Sequence, residues 1–333
     1  MSKFLRINLC EVFKMSKKEH LLKEIENFLA ALQNSDGKPL YEMTPDEARE
    51  FLLSVQRQSP VNFEADVTDK TILTESAGEV NIRIVKPLNY DKKLPAIIYT
   101  HGGGWVMGCK TVYDSLIKRL SIHTGAAVIF VDYTRAPEAK YPTALNQICG
   151  VLEYVCNYPD EFDIDRDNII IAGDSAGANM TAACALKSKA ENLPPVKAQI
   201  LLYPVTDASM DTKSYDDFKD GPWLTKKAME YFWHAYLPDK KTGEEIFISP
   251  LKAGIEDLKN LPPALIITVE NDVLRDEGEE YARKLDEAGV KVSNVRINGT
   301  IHDFMMLNAL CENIQTKCAF SLVCSYLNKI FNK

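Results

Sequence analysis

The chain has 333 residues, 46% hydrophobic and 26% charged, with a formal net charge of −8. That length suits one large α/β domain or two smaller ones, and an acidic balance without a long basic run argues against a nucleic-acid partner. No stretch approaches the roughly 20 apolar residues that span a bilayer, so no membrane partner is expected.

Residues 1–14 carry Arg6, Asn8 and Glu11 among their apolar residues, which makes a poor signal peptide and points to the cytoplasm. Met15-Ser16-Lys17-Lys18 looks like a second start, so the residues before it are expected to be loosely ordered. Leu21, Leu22, Ile25, Phe28, Leu29 and Leu32 have helical spacing and predict a helix that stops at Asn34-Ser35-Asp36-Gly37. Thr44-Pro45-Asp46-Glu47 predicts a second helix, with Thr44 as cap and Pro45 in the first helical position. Residues 1–60 thus read as a helical, strandless segment.

Beyond them the pattern changes. Val80-Asn81-Ile82-Arg83-Ile84 alternates like a half-exposed antiparallel strand. Continuous apolar runs follow at 96–99, 127–131, 169–171, 199–202 and 264–269, with a mixed run at 290–297. Helical patterns at 114–122, 144–154 and 279–288 lie between them. Apolar strands alternating with helices predict an α/β domain over 61–333, with a mostly parallel sheet of about eight strands covered on both faces. Residues 207–250 interrupt the alternation with a strandless, aromatic-rich stretch containing Trp223, Phe232 and Trp233. It reads as an insertion above the sheet that packs with the N-terminal helices into a cap.

The eight cysteines contain no CxxC pair and mostly sit in apolar or helical stretches, so free buried thiols are expected. The five histidines are scattered, and no metal is expected.

Gly173-Asp174-Ser175-Ala176-Gly177 follows the apolar run 169–171 and precedes a helical pattern. This is the GxSxG elbow, in which a tight strand-to-helix turn lifts a serine hydroxyl above the carboxyl edge of a sheet. Side chains at the flanking glycines would collide with the strand and the helix. His101-Gly102-Gly103-Gly104-Trp105 follows the strand at 96–99. Three bare glycine amides in a row suit the stabilisation of a developing oxyanion. A phosphate loop would need a G-x-x-x-x-G-K-[ST] pattern, which is absent.

A serine needs a base, and histidine has the matching pKa. His20 lies in the first helix, His123 ends another, His234 is in the insertion, and His101 reads as a structural ring of the glycine loop. His302, just after the last strand, is the remaining candidate. Its carboxylate partner is expected to be Asp272, past the strand at 264–269, with Asp207 and Asp276 as rivals. The order Ser175, Asp272, His302 is the order found in α/β-hydrolases.

At these residues the chain resembles the hormone-sensitive-lipase family of α/β-hydrolase carboxylesterases, the bacterial family IV type. The resemblance is carried by the glycine loop at His101, Tyr133-Thr134-Arg135-Ala136-Pro137-Glu138, the serine elbow, Asp272-Val273-Leu274-Arg275-Asp276-Glu277-Gly278 and His302-Asp303-Phe304, in family order. It implies an α/β-hydrolase fold, a helical cap built from the N-terminus and an insertion, and an oxyanion hole made by the amides of Gly103, Gly104 and Ala176. Two departures stand out. Ala178 replaces a second glycine after the elbow, and Arg135 is shifted by one position.

The expected activity is hydrolysis of short-to-medium acyl esters of small molecules through an acyl-enzyme intermediate on Ser175, without a cofactor. The alternatives are an amidase or deacetylase with the same three residues, or a non-catalytic ligand-binding relative. Trp105, Trp223 and Phe232 are candidates to line the substrate pocket, with core packing as the other reading of each. The C-terminal helix bearing Phe320, Val323, Leu327 and Ile330 packs on its own core or on a second copy in a homodimer.

Overall fold

The computed structural model describes residues 20–33 and 37–331. Cys10, the segment 1–14 and the helix stop at Asn34-Ser35-Asp36 lie outside the described residues.

Helix α1 (Lys23–Gln33) and helix α2 (Pro45–Gln58) open the chain. The start of α2 is fixed locally by a capping box. The Thr44 hydroxyl accepts from the Glu47 amide, and the Glu47 carboxylate accepts from the Thr44 amide. There follow β1 (Asp66–Thr74), β2 (Gly78–Lys86), β3 (Leu94–Thr100), α3 (Asp114–Thr124), β4 (Ala127–Asp132) and α4 (Thr143–Asn157). The central portion continues with β5 (Ile164–Asp174), α5 (Ala176–Glu191) and β6 (Gln199–Leu202). After two short helices, α6 (Lys213–Asp217) and α7 (Lys226–Tyr236), and the single turn α8 (Ile255–Leu258), the chain closes with β7 (Ala264–Asn271), α9 (Arg275–Glu287), β8 (Val292–Ile301) and α10 (Ile314–Ile330).

The eight strands form one sheet in the order β1-β2-β4-β3-β5-β6-β7-β8. Strands β3 to β8 run parallel, and β2 pairs antiparallel with both β1 and β4. Strands β3 and β6 are buried along their whole length, which requires cover on both faces and explains why they read as unbroken apolar runs. The strand with no sequence signal is β1. It is an edge strand whose first four residues are exposed, so only Ile72 and Thr74 are buried.

The parallel arrangement sets the site. The ends of β3, β5, β7 and β8 lie at one edge of the sheet, and each runs directly into a singled-out residue: His101, Ser175, Asp272 and His302. The 207–250 stretch holds helices and turns but no strand. Its Trp223 packs on Phe28 of α1 and Phe51 of α2, with ring centroids 5.6 and 6.2 Å apart. The N-terminal helices and the aromatic stretch therefore touch through a shared aromatic cluster.

Candidate active site

Ser175 sits in the turn between β5 and α5 with φ of 52° and ψ of −121°, a sparsely populated conformation for a residue with a side chain. Its amide donates to the Leu202 carbonyl at 2.8 Å, pinning the turn to β6. The two flanking glycines are sterically required. A Cβ on Gly173 would come within 2.6 Å of the Gly177 carbonyl group, and one on Gly177 would overlap the Thr100 carbonyl oxygen. Ala178 is fully buried, so the extra methyl group is absorbed by the helix–sheet packing.

The Ser175 Oγ lies 2.8 Å from His302 Nε2, and His302 Nδ1 lies 2.7 Å from Asp272 Oδ2. A carboxylate only accepts, so Nδ1 carries the proton, and in the neutral ring Nε2 is left to accept from the serine hydroxyl. The other Asp272 oxygen accepts from the Leu274 amide at 3.0 Å, which fixes the carboxylate's orientation. All three side chains are buried; His302 is 2% exposed and Asp272 1%. Burial opposes a charge on His302, but the carboxylates of Asp272, Asp303 and Asp174 outweigh it and raise its pKa to about 9.

The rival carboxylates are engaged elsewhere. Asp207 accepts from the amide and hydroxyl of Ser209 at 2.9 Å each. Asp276 accepts from the Ser214 amide at 2.8 Å and from Arg275 Nε at 2.8 Å.

The glycine loop approaches the elbow through Asp174. Its Oδ1 accepts from the Gly102 amide at 3.0 Å and from the Tyr99 hydroxyl at 2.8 Å, and its Oδ2 accepts from the Tyr113 hydroxyl at 2.7 Å. Burial and the Asp303 charge push this carboxyl up to about 7 against the pull of those donors. Among the described residues, neither the Gly103 nor the Gly104 amide donates a hydrogen bond within the protein, and Ala176 opens α5, where backbone amides have no intrahelical partner. Gly103 and Gly104 both have positive φ, 91° and 61°, which turns the chain over the elbow.

His101 is fully buried and stacked on Tyr133 at 4.1 Å, with Nδ1 2.8 Å from the Gly102 carbonyl oxygen. Burial lowers its pKa to about 3, so it stays neutral and holds the loop as a plain ring. Arg135, despite its shift, donates to the Gly108 carbonyl at 2.8 Å and ties down the far end of the loop.

The three aromatic candidates separate. Trp105 is fully buried between Trp233 and Tyr236, each 4.5 Å away, which is a packing environment. Phe232 of α7 lies directly over Gly104, its ring occupying the place a Cβ there would take. Trp223 donates its indole N–H to Asp303 Oδ2 at 2.9 Å, next to His302. Asp174, Asp303 and the tyrosine pair Tyr99 and Tyr113 carry no individual role in the sequence reading. A charged residue at the last position of an apolar strand was the available signal for Asp174.

Residues 97–306 match a family described as the alpha/beta hydrolase fold. A protein of Acanthamoeba polyphaga mimivirus whose name places it among alpha/beta hydrolases is 39% identical over 295 residues, 89% of this chain and 84% of its own. An esterase of Gibberella moniliformis is 36% identical over 291 residues, covering 86% of this chain and 91% of that one. Among solved structures, a thermostable esterase from Pseudomonas putida ECU1011 superposes with a TM-score of 0.91 at 42% identity, covering 94% of this chain and 98% of that chain.

Proposed function

The chain belongs to the alpha/beta hydrolase fold family and is a carboxylic ester hydrolase, and from that premise we propose that it works through Ser175, His302 and Asp272. The observation that carries the assignment is the unbroken relay of 2.8 and 2.7 Å from Ser175 through His302 to Asp272. Ser175 Oγ attacks the ester carbonyl while His302 Nε2 takes its proton. Asp272 holds the ring in the required tautomer and stabilises its charged form. The carbonyl oxygen, now negative, accepts from the amides of Gly103, Gly104 and Ala176; one such donor is typically worth about 2.7–4 kcal/mol of barrier. The tetrahedral intermediate collapses, the alcohol leaves with the proton from His302, and the acyl group stays on Ser175. Water, deprotonated by His302, then releases the acid and restores the serine.

Residues 1–60 and 207–250 act as a cap in this reading, a role supported by the Trp223 cluster that joins them. The substrate is a small-molecule ester with a short-to-medium acyl group, because the Phe232 ring over Gly104 narrows the space above the glycine loop. In this reading the protein works in the cytoplasm. No helix of the described residues is long and apolar enough to cross a membrane.

The test is hydrolysis of p-nitrophenyl esters from acetyl to dodecanoyl by the wild type and by Ser175→Ala. Activity on short chains that disappears in the variant is the expected result. Undiminished turnover by Ser175→Ala would remove the serine from the mechanism.

A further inference from the structure

Gln56 is a glutamine in the last turn of α2, yet it is 4% exposed, and both its Nε2 protons and its Oε1 are engaged in hydrogen bonds. Its Nε2 donates to the Val112 carbonyl at 2.7 Å and to the Met306 carbonyl at 2.9 Å. Its Oε1 accepts from the Asn308 amide at 2.9 Å, and its backbone carbonyl accepts from Asn308 Nδ2 at 3.3 Å.

The two carbonyls belong to different halves of the site. Val112 precedes Tyr113, whose hydroxyl accepts from the Gly102 amide at 3.0 Å and so reaches the root of the glycine loop. Met306 closes the turn after His302, its amide donating to the Asp303 carbonyl at 2.9 Å. These two segments lie far apart in the chain and meet on one planar amide supplied by the N-terminal segment.

We propose that Gln56 is a positioning residue that sets the His302 turn against the glycine-loop segment by bridging the Met306 and Val112 carbonyls. The inference rests on the reading of Ser175, His302 and the glycine amides given above. The base and the oxyanion donors must both be in register with one tetrahedral centre. A shift between them weakens the transition state more than it weakens the bound ester. An amide is the side chain suited to the task, because a single NH2 group can satisfy two carbonyls while the oxygen faces an amide N–H. The N-terminal helices thereby do more than cover the substrate.

The experiment compares the wild type with Gln56→Met, Gln56→Glu and Ser175→Ala in the full chain. Three quantities are read for the wild type and the Gln56 variants: kcat per site titrated with a phosphonate, KM for p-nitrophenyl acetate, and the inhibition constant of a trifluoromethyl ketone that mimics the tetrahedral centre; Ser175→Ala is read as turnover per mole of protein. Both Gln56 variants are expected to lose kcat by about tenfold or more, with KM changed by less than about threefold and ketone affinity falling in parallel with kcat/KM. A role confined to stability would lower the melting temperature and the number of titrated sites but leave kcat per site and ketone affinity as in the wild type. That result overturns the proposal. Failure of both variants to fold also overturns it, since the amide would then be a requirement of the fold itself. Ser175→Ala separates the two levels: if it stays active, the reading of the site fails. If it is inactive while the Gln56 variants match the wild type, only the positioning role fails.

Discussion

Asp303 Oδ1 stands 3.5 Å from His302 Nε2, on the same nitrogen that faces Ser175, while its Oδ2 accepts the indole N–H of Trp223 at 2.9 Å. A second carboxylate thus addresses the histidine from the side opposite Asp272, held by a tryptophan of the 207–250 stretch. This has a consequence for pH dependence. Burial opposes protonation of His302, and Asp272, Asp303 and Asp174 together override it and bring the pKa to about 9. The general base acts in its neutral form, so activity falls as pH drops through that value. The acid limb of kcat/KM is therefore expected well above the ordinary histidine range. Asp303→Asn removes one of the charges that favour the imidazolium and is expected to move the limb toward acid by about half a unit to one unit. A pH profile of kcat/KM for both proteins checks this, and an unmoved limb would contradict it.

The choice of carboxylate partner can be tested directly. Asp272→Asn keeps the shape but removes the acceptor that sets the His302 tautomer, and kcat is expected to fall on the order of ten-thousand-fold. Asp207→Asn alters the side-chain contacts with Ser209 and Lys252, the latter at 3.7 Å, and is expected to leave kcat within about twofold. Steady-state kinetics on p-nitrophenyl acetate distinguish the pair; the reverse ranking would give the role to Asp207.

The Phe232 ring lies over Gly104 of the glycine loop. Phe232→Ala is expected to shift the preferred acyl chain to longer esters, measured as kcat/KM across the acetyl-to-dodecanoyl series. It also uncovers a buried ring site, so stability should drop by about 3 kcal/mol. An unchanged chain-length profile would place the acyl group elsewhere.

At the elbow, Gly177→Ala puts a methyl group onto the Thr100 and His101 carbonyls, both backbone atoms that cannot rotate away. The strand or the helix must move. A loss of at least about 2 kcal/mol in urea unfolding is expected, together with loss of activity because Ser175 and the glycine loop are displaced. Wild-type stability would show that the turn has slack it does not display.

The strands and helices that carry the site were legible for local reasons. β3 and β6 are buried on both faces, so apolar runs at 96–99 and 200–202 fill most of their length, and α2 announces itself through Thr44, Pro45 and Glu47. β1 was not legible, because an edge strand exposed over most of its length carries Asp, Thr and Lys instead of an apolar pattern. Of the aromatic candidates, Trp105 could not be told from a pocket residue by sequence, since a buried packing ring and a pocket ring are the same residue type.

The sequence by itself determined the order of the elements from β2 onward that carry the site, the elbow glycines and the identity of Ser175, Asp272 and His302 as candidates. These follow from turn sterics and from residue types whose chemistry is individually distinctive. The tertiary structure alone decided which carboxylates surround His302, that Asp174 ties the elbow to Gly102, and that Gln56 bridges the Val112 and Met306 carbonyls, the second lying 250 residues from it in the chain. Those contacts depend on where β3, β5, β7 and β8 bring their ends together, and no local pattern encodes the distance between strands.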